Sequence, residues 1–432
     1  MAFFIREEET LDRQALAALQ RKKLAAMLNA MLGGNSFYRK KFEGLSFDAE
    51  KAPLADLPFT TRSEIQQDQS DHPPYGTNLS YPLQSYVRLH QTSGSKGRPI
   101  CWLDRAEDWV WWRRCWGMLY GAAGIVDGDR FLFPFSFGPF IGFWAAFEAA
   151  VAMEHLCLSA GGMSTTARLR FMLDNDVTVV LCTPTYALRM AEVAAEEGLS
   201  LAASKVRCLI VAGEPGGSIP ATRAKIESSW GARVIDHPGM TETGPHSIEC
   251  VESPGGVHII ENEFIAEVID PETTDPVADG ESGELVITNL GRWGSPVIRY
   301  RTGDCVRMTR DRCACGRWFA WLEGGVLGRL DDMVIIRGNN VYPAAVEAIL
   351  RRFEGVAEFR MEVVAQESMN NLRIEIEPAP DADRSRLTAD VSRALRDGLN
   401  FRPEITLVEP GDLPRFEMKA RRLIHRDSRL ED

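Results

Sequence analysis

No uninterrupted apolar run in this 432-residue chain reaches the ~20 residues that a membrane-spanning helix needs. A basic excess is also missing. Lys and Arg number 49 against 61 Asp and Glu, a formal net charge of −12, whereas non-specific nucleic-acid binding requires a basic face. There is no sustained internal repeat and no long low-complexity linker, so the chain is not a stack of small units. The first residues, MAFFIREEETLDRQ, turn acidic without passing through the apolar region of a secretory signal. A cytoplasmic protein is expected, engaging neither nucleic acid nor membrane. In that compartment the nine cysteines stay mostly reduced.

What is present is the composition of an ordinary globular protein, 45% hydrophobic and 25% charged, at a length that allows two or three domains. Residues 10–32 carry Leu16, Leu19, Leu24, Met27, Leu28 and Met31 at mixed three- and four-residue spacings and read as a helix. Residues 109–124 read as a helix with a broad aromatic face, its tryptophans assigned to the core. Beyond it, apolar strands over 130–136, 177–184, 206–214 and 233–239 alternate with helical segments over 163–174, 186–199 and 219–231. That alternation signals βαβ units and a parallel sheet. After 250 the pattern changes. Segments 258–270 and 283–290 alternate like antiparallel strands, and 328–338 carries a strand between two glycines. Pro343 opens a helix over 343–353. Strands over 358–366 and 372–378 flank a polar turn at Asn370–Asn371, and 384–399 is helical. The expected fold is α/β, with a large N-terminal domain over 1–330 and a small α+β domain over 331–432.

The stretch TSGSKGRP begins at Thr92. Gly94 and Gly97 allow the backbone to approach a ligand closely. Thr92, Ser93 and Ser95 supply hydroxyls and Lys96 a cation, and successive N–H groups in such a turn form an anion nest suited to a polyphosphate. The G-x-x-x-x-G-K-[ST] spacing of a Walker loop is absent. An ordinary surface turn is the alternative.

Cys101, Cys115, Cys157, Cys182 and Cys208 sit in apolar or mixed surroundings and read as small core residues. CACGR contributes Cys313 and Cys315, and Cys250 and His258 lie upstream. Three thiols and an imidazole form a closed tetrahedral set for Zn²⁺, although spacing alone leaves plain packing equally open. FPFSFGPFIGFW places Phe135, Phe137, Phe140 and Phe143 among glycine, serine and proline. It is either an acyl-binding wall or a core strand followed by a helix.

These stretches occur in a fixed order with NSFYRKKF, LPFTTRSEI, LCTPTYAL, AGEP, HPGMTETGP, RYRTGD, GRLDDMVIIRGNNVYPAAVE and a near-terminal Lys419. The ordered set resembles the adenylate-forming superfamily of acyl-CoA synthetases, luciferases and peptide-synthetase adenylation domains. It is most similar to the phenylacetate–CoA ligase branch, over nearly the whole chain. The resemblance implies that the larger domain contains a small β-barrel-like subdomain and that the smaller one is a mobile lid. The implied activity converts an aryl or arylacetic acid and ATP to an acyl-adenylate, then to a CoA thioester with AMP and pyrophosphate. A free-standing carrier protein is the alternative acceptor, a catalytically silent nucleotide-binding scaffold the alternative of another class, and a homodimer stays open.

The implied site follows residue by residue. Ser93, Gly94, Ser95, Lys96 and Gly97 handle the outer phosphates. Glu242 binds Mg²⁺ and Thr241 meets the α-phosphate. Gly213, Glu214, Pro215, Asp236, His237, Pro238, Gly239 and Met240 surround the nucleotide. Asp304 accepts the ribose hydroxyls with Arg329 in support. Lys419 stabilises the transition state, Asp331 is the hinge and Gly338 shapes the thiol tunnel. Phe135, Phe137, Phe140 and Gly213 bound the acid, and some members of the branch carry a structural zinc where Cys250, His258, Cys313 and Cys315 stand. Two positions depart from the family. Pro238 replaces an aromatic residue, leaving His237 to supply planar contact, and Met418 replaces a glycine.

Overall fold

A computed structural model describes residues 3–45, 48–49, 53–92, 98–336, 339–366, 369–399, 401–417 and 420–427. Its centre is a five-stranded sheet, in spatial order Leu156–Ser159, Arg130–Phe133, Val179–Cys182, Cys208–Ala212 and Arg233–His237. Every neighbouring pair is parallel. The apolar runs are continuous because both faces are covered. Phe131, Phe133, Val179, Leu181, Ile210 and Ile235 pack with the tryptophans of helix Ala106–Ala122. Their alternate neighbours Leu132, Val180, Leu209, Val211 and Val234 pack into a second cluster with Leu169, Met190 and Ile226 of helices Thr165–Asp174, Pro184–Glu196 and Pro220–Trp230. The period-two division between two clusters follows from the strand pleat.

A seven-stranded sheet follows, with the order Phe264–Ile269, Ser282–Asn289, Tyr300–Thr309, Trp321–Glu323, Ser253–Ile259 and Ser247–Cys250, and with Gly328–Arg329 also pairing to Tyr300–Thr309. It is antiparallel throughout. The two end strands do not pair with one another among the described residues. The expected barrel-like subdomain is therefore seen as an open path of strands.

The strand expected over 258–270 is two strands, broken at 260–263. Glu261 and Glu263 turn inward there. Glu261 accepts from Arg13 and from the Ala320 N–H. Glu263 accepts from Lys23, Trp111 and Arg114. Ion pairing with distant segments overrides the local alternation.

The last part is α+β. Its four-stranded sheet runs Glu404–Leu407, Met369–Pro378, Val356–Gln366, Leu423–Asp427. The central pair is antiparallel and the two outer pairs are parallel. Helices Pro343–Leu350 and Arg384–Leu399 pack on it, forming a core from Val346, Leu350, Phe359, Ile374, Val391 and Leu395. Asn370 and Asn371 are not at the turn. They lie in the strand opposite Ala365 and Val364; residues 367–368 lie outside the described residues. Among the described residues no helix is long and apolar enough to cross a membrane.

Candidate active site

A cavity of about 400 Å³ opens at the carboxyl ends of the parallel strands, where open α/β sheets bind ligands. Thr183, Gly213 and His237 line it, each at or one residue beyond the end of its strand. Its inner part is apolar, formed by Trp112, Trp116, Phe135, Ile141, Leu181 and Ile210. Its outer part carries Arg62, Thr241, Glu242, Arg329, Asp331 and Asp332. Apolar walls continuous with a charged mouth suit a ligand with an apolar body and a polar, phosphate-bearing head.

The turn over 239–244 is held on both sides. Met240 and Gly244 exchange backbone hydrogen bonds at 3.2 and 3.0 Å. Gly244 has φ +112°, and a Cβ there would come within 2.8 Å of the Trp111 ring, so glycine is required. Beneath the turn, Arg292 is fully buried. It donates to the Thr241 carbonyl at 2.7 Å and the Glu242 carbonyl at 3.2 Å. Its other side grips the Asp104 carboxylate at 2.6 and 2.8 Å.

Glu242 is 3% exposed. Burial pushes its carboxyl above the usual carboxylate range, against the pull of Arg62. Arg62 Nη1 donates to Glu242 at 2.8 Å. Arg62 opens helix Arg62–Asp71, whose N-terminus is closed by a Thr61–Glu64 capping box. A cation in the first turn opposes the helix dipole, so Arg62 does not stabilise this helix start, and it is held instead against Glu242 at the cavity.

Strand pairing sets Asp304 opposite Arg329. Arg329 Nη1 donates to Asp304 at 2.9 Å and Nε to Asp331 at 3.0 Å. Asp331 lies in the short turn Leu330–Asp332 that leads to strand Val334–Ile336. The hairpin Tyr86–Gln91 and Cys101–Arg105 pairs Gln91 with Cys101 and so brackets the glycine-rich loop. Thr92 lines the cavity. Ser93, Gly94, Ser95, Lys96 and Gly97 lie outside the described residues, as do Gly338 and Lys419. The flanks of Lys419 are described. Glu417 accepts from Thr165 at 3.2 Å and Arg168 at 3.4 Å, and the Ala420 N–H donates to Glu214 at 2.7 Å.

Several expected site residues are placed elsewhere. Glu214 is occupied by the N–H groups of Thr185 and Ala420, bracing the C-terminal segment rather than facing the cavity. Asp236 accepts from Ser218 behind the wall. Pro215 and Pro238 are outside the cavity lining, and Asp304 reaches it through Arg329. Phe135 and Phe140 line the cavity. Phe137, in the loop beyond strand Arg130–Phe133, instead packs on Trp144 at 4.8 Å and Phe147 at 5.2 Å; the Phe143 side chain lies outside the described residues. Trp112 and Trp116, expected only as core, belong to the core and line the cavity as well. Arg62 and Arg292 were not expected. Their signals were a cation at a helix start and an arginine within the apolar, glycine-rich LGRWGSP stretch.

Cys250, His258, Cys313 and Cys315 meet in one cluster, their ligand atoms all within 4.8 Å of one another. The Cys250 and Cys313 sulfurs are 3.8 Å apart, and Cys315 Sγ is 3.6 Å from His258 Nε2. His258 Nδ1 faces the Phe319 carbonyl at 3.2 Å, which turns Nε2 toward the sulfurs. Hydrogen bonding to Cys250 and His258 holds the Cys315 thiol far below its ordinary pKa. None of these cysteines is in a disulfide. Of the cysteines assigned to the core, Cys115, Cys182 and Cys208 are buried, and Cys101 and Cys157 are half-buried.

Residues 59–291 match the AMP-binding enzyme family, and residues 338–427 match the AMP-binding enzyme C-terminal domain. A phenylacetate-coenzyme A ligase of Thermus thermophilus is 31% identical over 448 aligned residues, 97% of this chain and 98% of that protein. A 2-hydroxyisobutyryl-CoA ligase in its postadenylation state, 27% identical, superposes with a TM-score of 0.92 over 98% of this chain and 92% of that one. The same ligase in its thioesterification state, with an acyl-AMP and CoA, gives 0.74 over equal coverage at 28% identity. The chain thus superposes more closely on the former state than on the latter. The chain belongs to the AMP-binding enzyme family, in its phenylacetate–CoA ligase branch.

Proposed function

We propose that the protein activates an aromatic carboxylic acid with ATP and transfers the acyl group to CoA. A carboxylate is a poor electrophile, so attack by a thiol needs a better leaving group. A carboxylate oxygen attacks the α-phosphorus, the bond to the β-phosphate breaks, and pyrophosphate leaves. The CoA sulfur then attacks the acyl carbon, and AMP leaves with the bonding pair. Both steps develop charge that fixed donors and cations stabilise. The observation that carries this reading is the single cavity that joins Trp112, Trp116 and Phe135 to Thr241, Glu242, Arg62 and Arg329.

In this proposal Thr241 meets the α-phosphate, and Asp304 and Arg329 hold the ribose. Ser93 to Gly97 wrap the β- and γ-phosphates, and Lys419 meets the pentavalent phosphorus as a point charge. Glu242 is suited to Mg²⁺, being a buried carboxylate at the cavity wall that accepts from Arg62. Mg²⁺ supplies neutralisation of phosphate charge when bound. Residues 331–432 form the lid, turning at Asp331 so that Gly338 replaces Lys419 in the second step.

Zn²⁺ suits the cysteine cluster. Metal–sulfur and metal–nitrogen distances of about 2.3 and 2.0 Å imply tetrahedral edges of about 3.8 Å for S–S and about 3.5 Å for S–N. The separations of 3.8 and 3.6 Å agree. The role is structural, since the set is closed and joins the strand end at Cys250 to the loop at 313–315.

A second reading, a short branched hydroxy acid, is favoured by the superposition on 2-hydroxyisobutyryl-CoA ligase. A carrier protein is the second acceptor. The test is nucleotide release from ATP with a panel of aromatic and short-chain acids, with and without CoA. AMP and pyrophosphate, with a CoA-dependent thioester from an aromatic acid, are expected. ADP and phosphate with a cognate acid would overturn the proposal.

A further inference from the structure

One imidazole, that of His237, stands among the aromatic and aliphatic side chains of the inner cavity wall. His237 ends strand Arg233–His237 and is 5% exposed, its ring edge-on to Trp116 at 4.7 Å. Nδ1 lies 2.6 Å from the Ser247 carbonyl. A carbonyl only accepts, so Nδ1 carries the proton and the neutral ring presents a bare Nε2. Burial lowers the His237 pKa to about 4, so the ring is neutral at pH 7. Nε2 has no hydrogen-bond partner among the described residues. Gly239 lines the cavity beside it, and a Cβ there would stand 3.3 Å from Nε2; the glycine leaves that nitrogen uncovered. Two nearby donors are committed elsewhere: the Trp112 N–H donates to Asp104 and the Ser247 hydroxyl to the Pro238 carbonyl. A buried acceptor facing an apolar cavity without a donor is unfavourable.

We propose that His237 Nε2 accepts a hydrogen bond from a donor on the acyl group, so that the preferred acid carries a ring hydroxyl or ring amine. This rests on the acid-activating reading above and names the substrate class of that same site. The test is kcat/KM for AMP release by the full-length enzyme with ATP and CoA. The acids are phenylacetate, its three hydroxy isomers, the matching amino and methoxy acids, and 2-hydroxyisobutyrate. A methoxy group fills the same space but cannot donate. One hydroxy or amino isomer should exceed both phenylacetate and its own methoxy counterpart by roughly ten- to a hundredfold, as expected when a buried polar partner is left unpaired. His237→Phe and His237→Ala should bring that ratio toward one. His237→Gln, which restores an oxygen acceptor, should retain part of it and keeps the comparison open should the other variants fail to fold. A ratio unchanged in His237→Phe, or no donor preference in the wild type while unsubstituted acids release AMP, overturns this proposal alone. A preference for 2-hydroxyisobutyrate over every aryl acid overturns the aromatic class. No AMP from any acid overturns the underlying reading and this inference with it.

Discussion

Arg292→Met removes the charge beneath the 239–244 turn while keeping most of the side-chain length. Arg292 and Asp104 are both fully buried. After the substitution Asp104 retains, among the described residues, only the Trp112 N–H at 3.3 Å and the His90 ring nitrogen at 3.8 Å. Stranding one partner of a buried pair costs about 3–5 kcal/mol. Two carbonyls, of Thr241 and Glu242, lose a charged donor as well, adding about 1 kcal/mol or more. The sum, about 4–6 kcal/mol, is a large share of the 5–15 kcal/mol typical of a domain. The expected result is a strongly lowered denaturant midpoint with an unchanged slope. Adding Asp104→Leu removes the stranded carboxylate, so the double variant should be more stable than the single one. It should still release AMP poorly, because the two carbonyls remain without their brace. A loss below about 1 kcal/mol in the single variant would refute the reasoning. So would recovery of AMP release along with stability in the double one.

The pH dependence carries a sign. Burial raises the Asp104 pKa, but the charge and hydrogen bonds of Arg292, with the His90 ring nearby, hold it below 3.8 overall. Its contribution is therefore present above the unfolded pKa and lost as pH falls through the folded one. In Arg292→Met the unpaired carboxyl rises above its unfolded pKa. The folded variant then takes up a proton on acidification, and its deficit narrows as pH falls toward about 4. The difference between wild type and variant should be largest near neutrality.

The cysteine cluster should bind about one Zn²⁺ per chain, read by elemental analysis, and because such sites are coupled to folding, Cys313→Ser should lose the metal and lower the melting temperature. A metal-free protein of unchanged stability would refute that. Lys419→Ala should lose adenylation by several orders of magnitude yet convert preformed acyl-adenylate to thioester at a near-normal rate, and Gly338→Leu should do the reverse. Folded variants that lose both half-reactions equally would rule out the lid rotation.

The parallel sheet was legible because strands covered on both faces need continuous apolar sequence, and VVLC and CLIVA supply it. Strand Tyr300–Thr309 was not, although its burial alternates almost without exception. The inward residues include Thr302 and Asp304, so the period is present in the structure but not in hydrophobicity. The break at 260–263 was hidden for a different reason. Glu261 and Glu263 are satisfied by Arg13, Lys23 and Arg114, roughly 150–250 residues earlier, and no local window contains both partners. Asn370 and Asn371 have the local preference for a turn, but cross-strand register with Val364 and Ala365 decides where the chain reverses.

The site divides along the same line. Thr241, Glu242 and Gly239 were readable as cavity-lining residues because they fall together within one short motif. Arg62 and Arg292 act on residues 180 and 50–51 positions away, so their roles are set by partners rather than by neighbours. His237 shows the intermediate case. Its position next to the motif was readable, but which ring nitrogen is bare depends on the Ser247 carbonyl ten residues away. A residue that lines the cavity can thus be found from its type and motif, whereas the direction of its chemistry is fixed by whatever occupies its other polar atom.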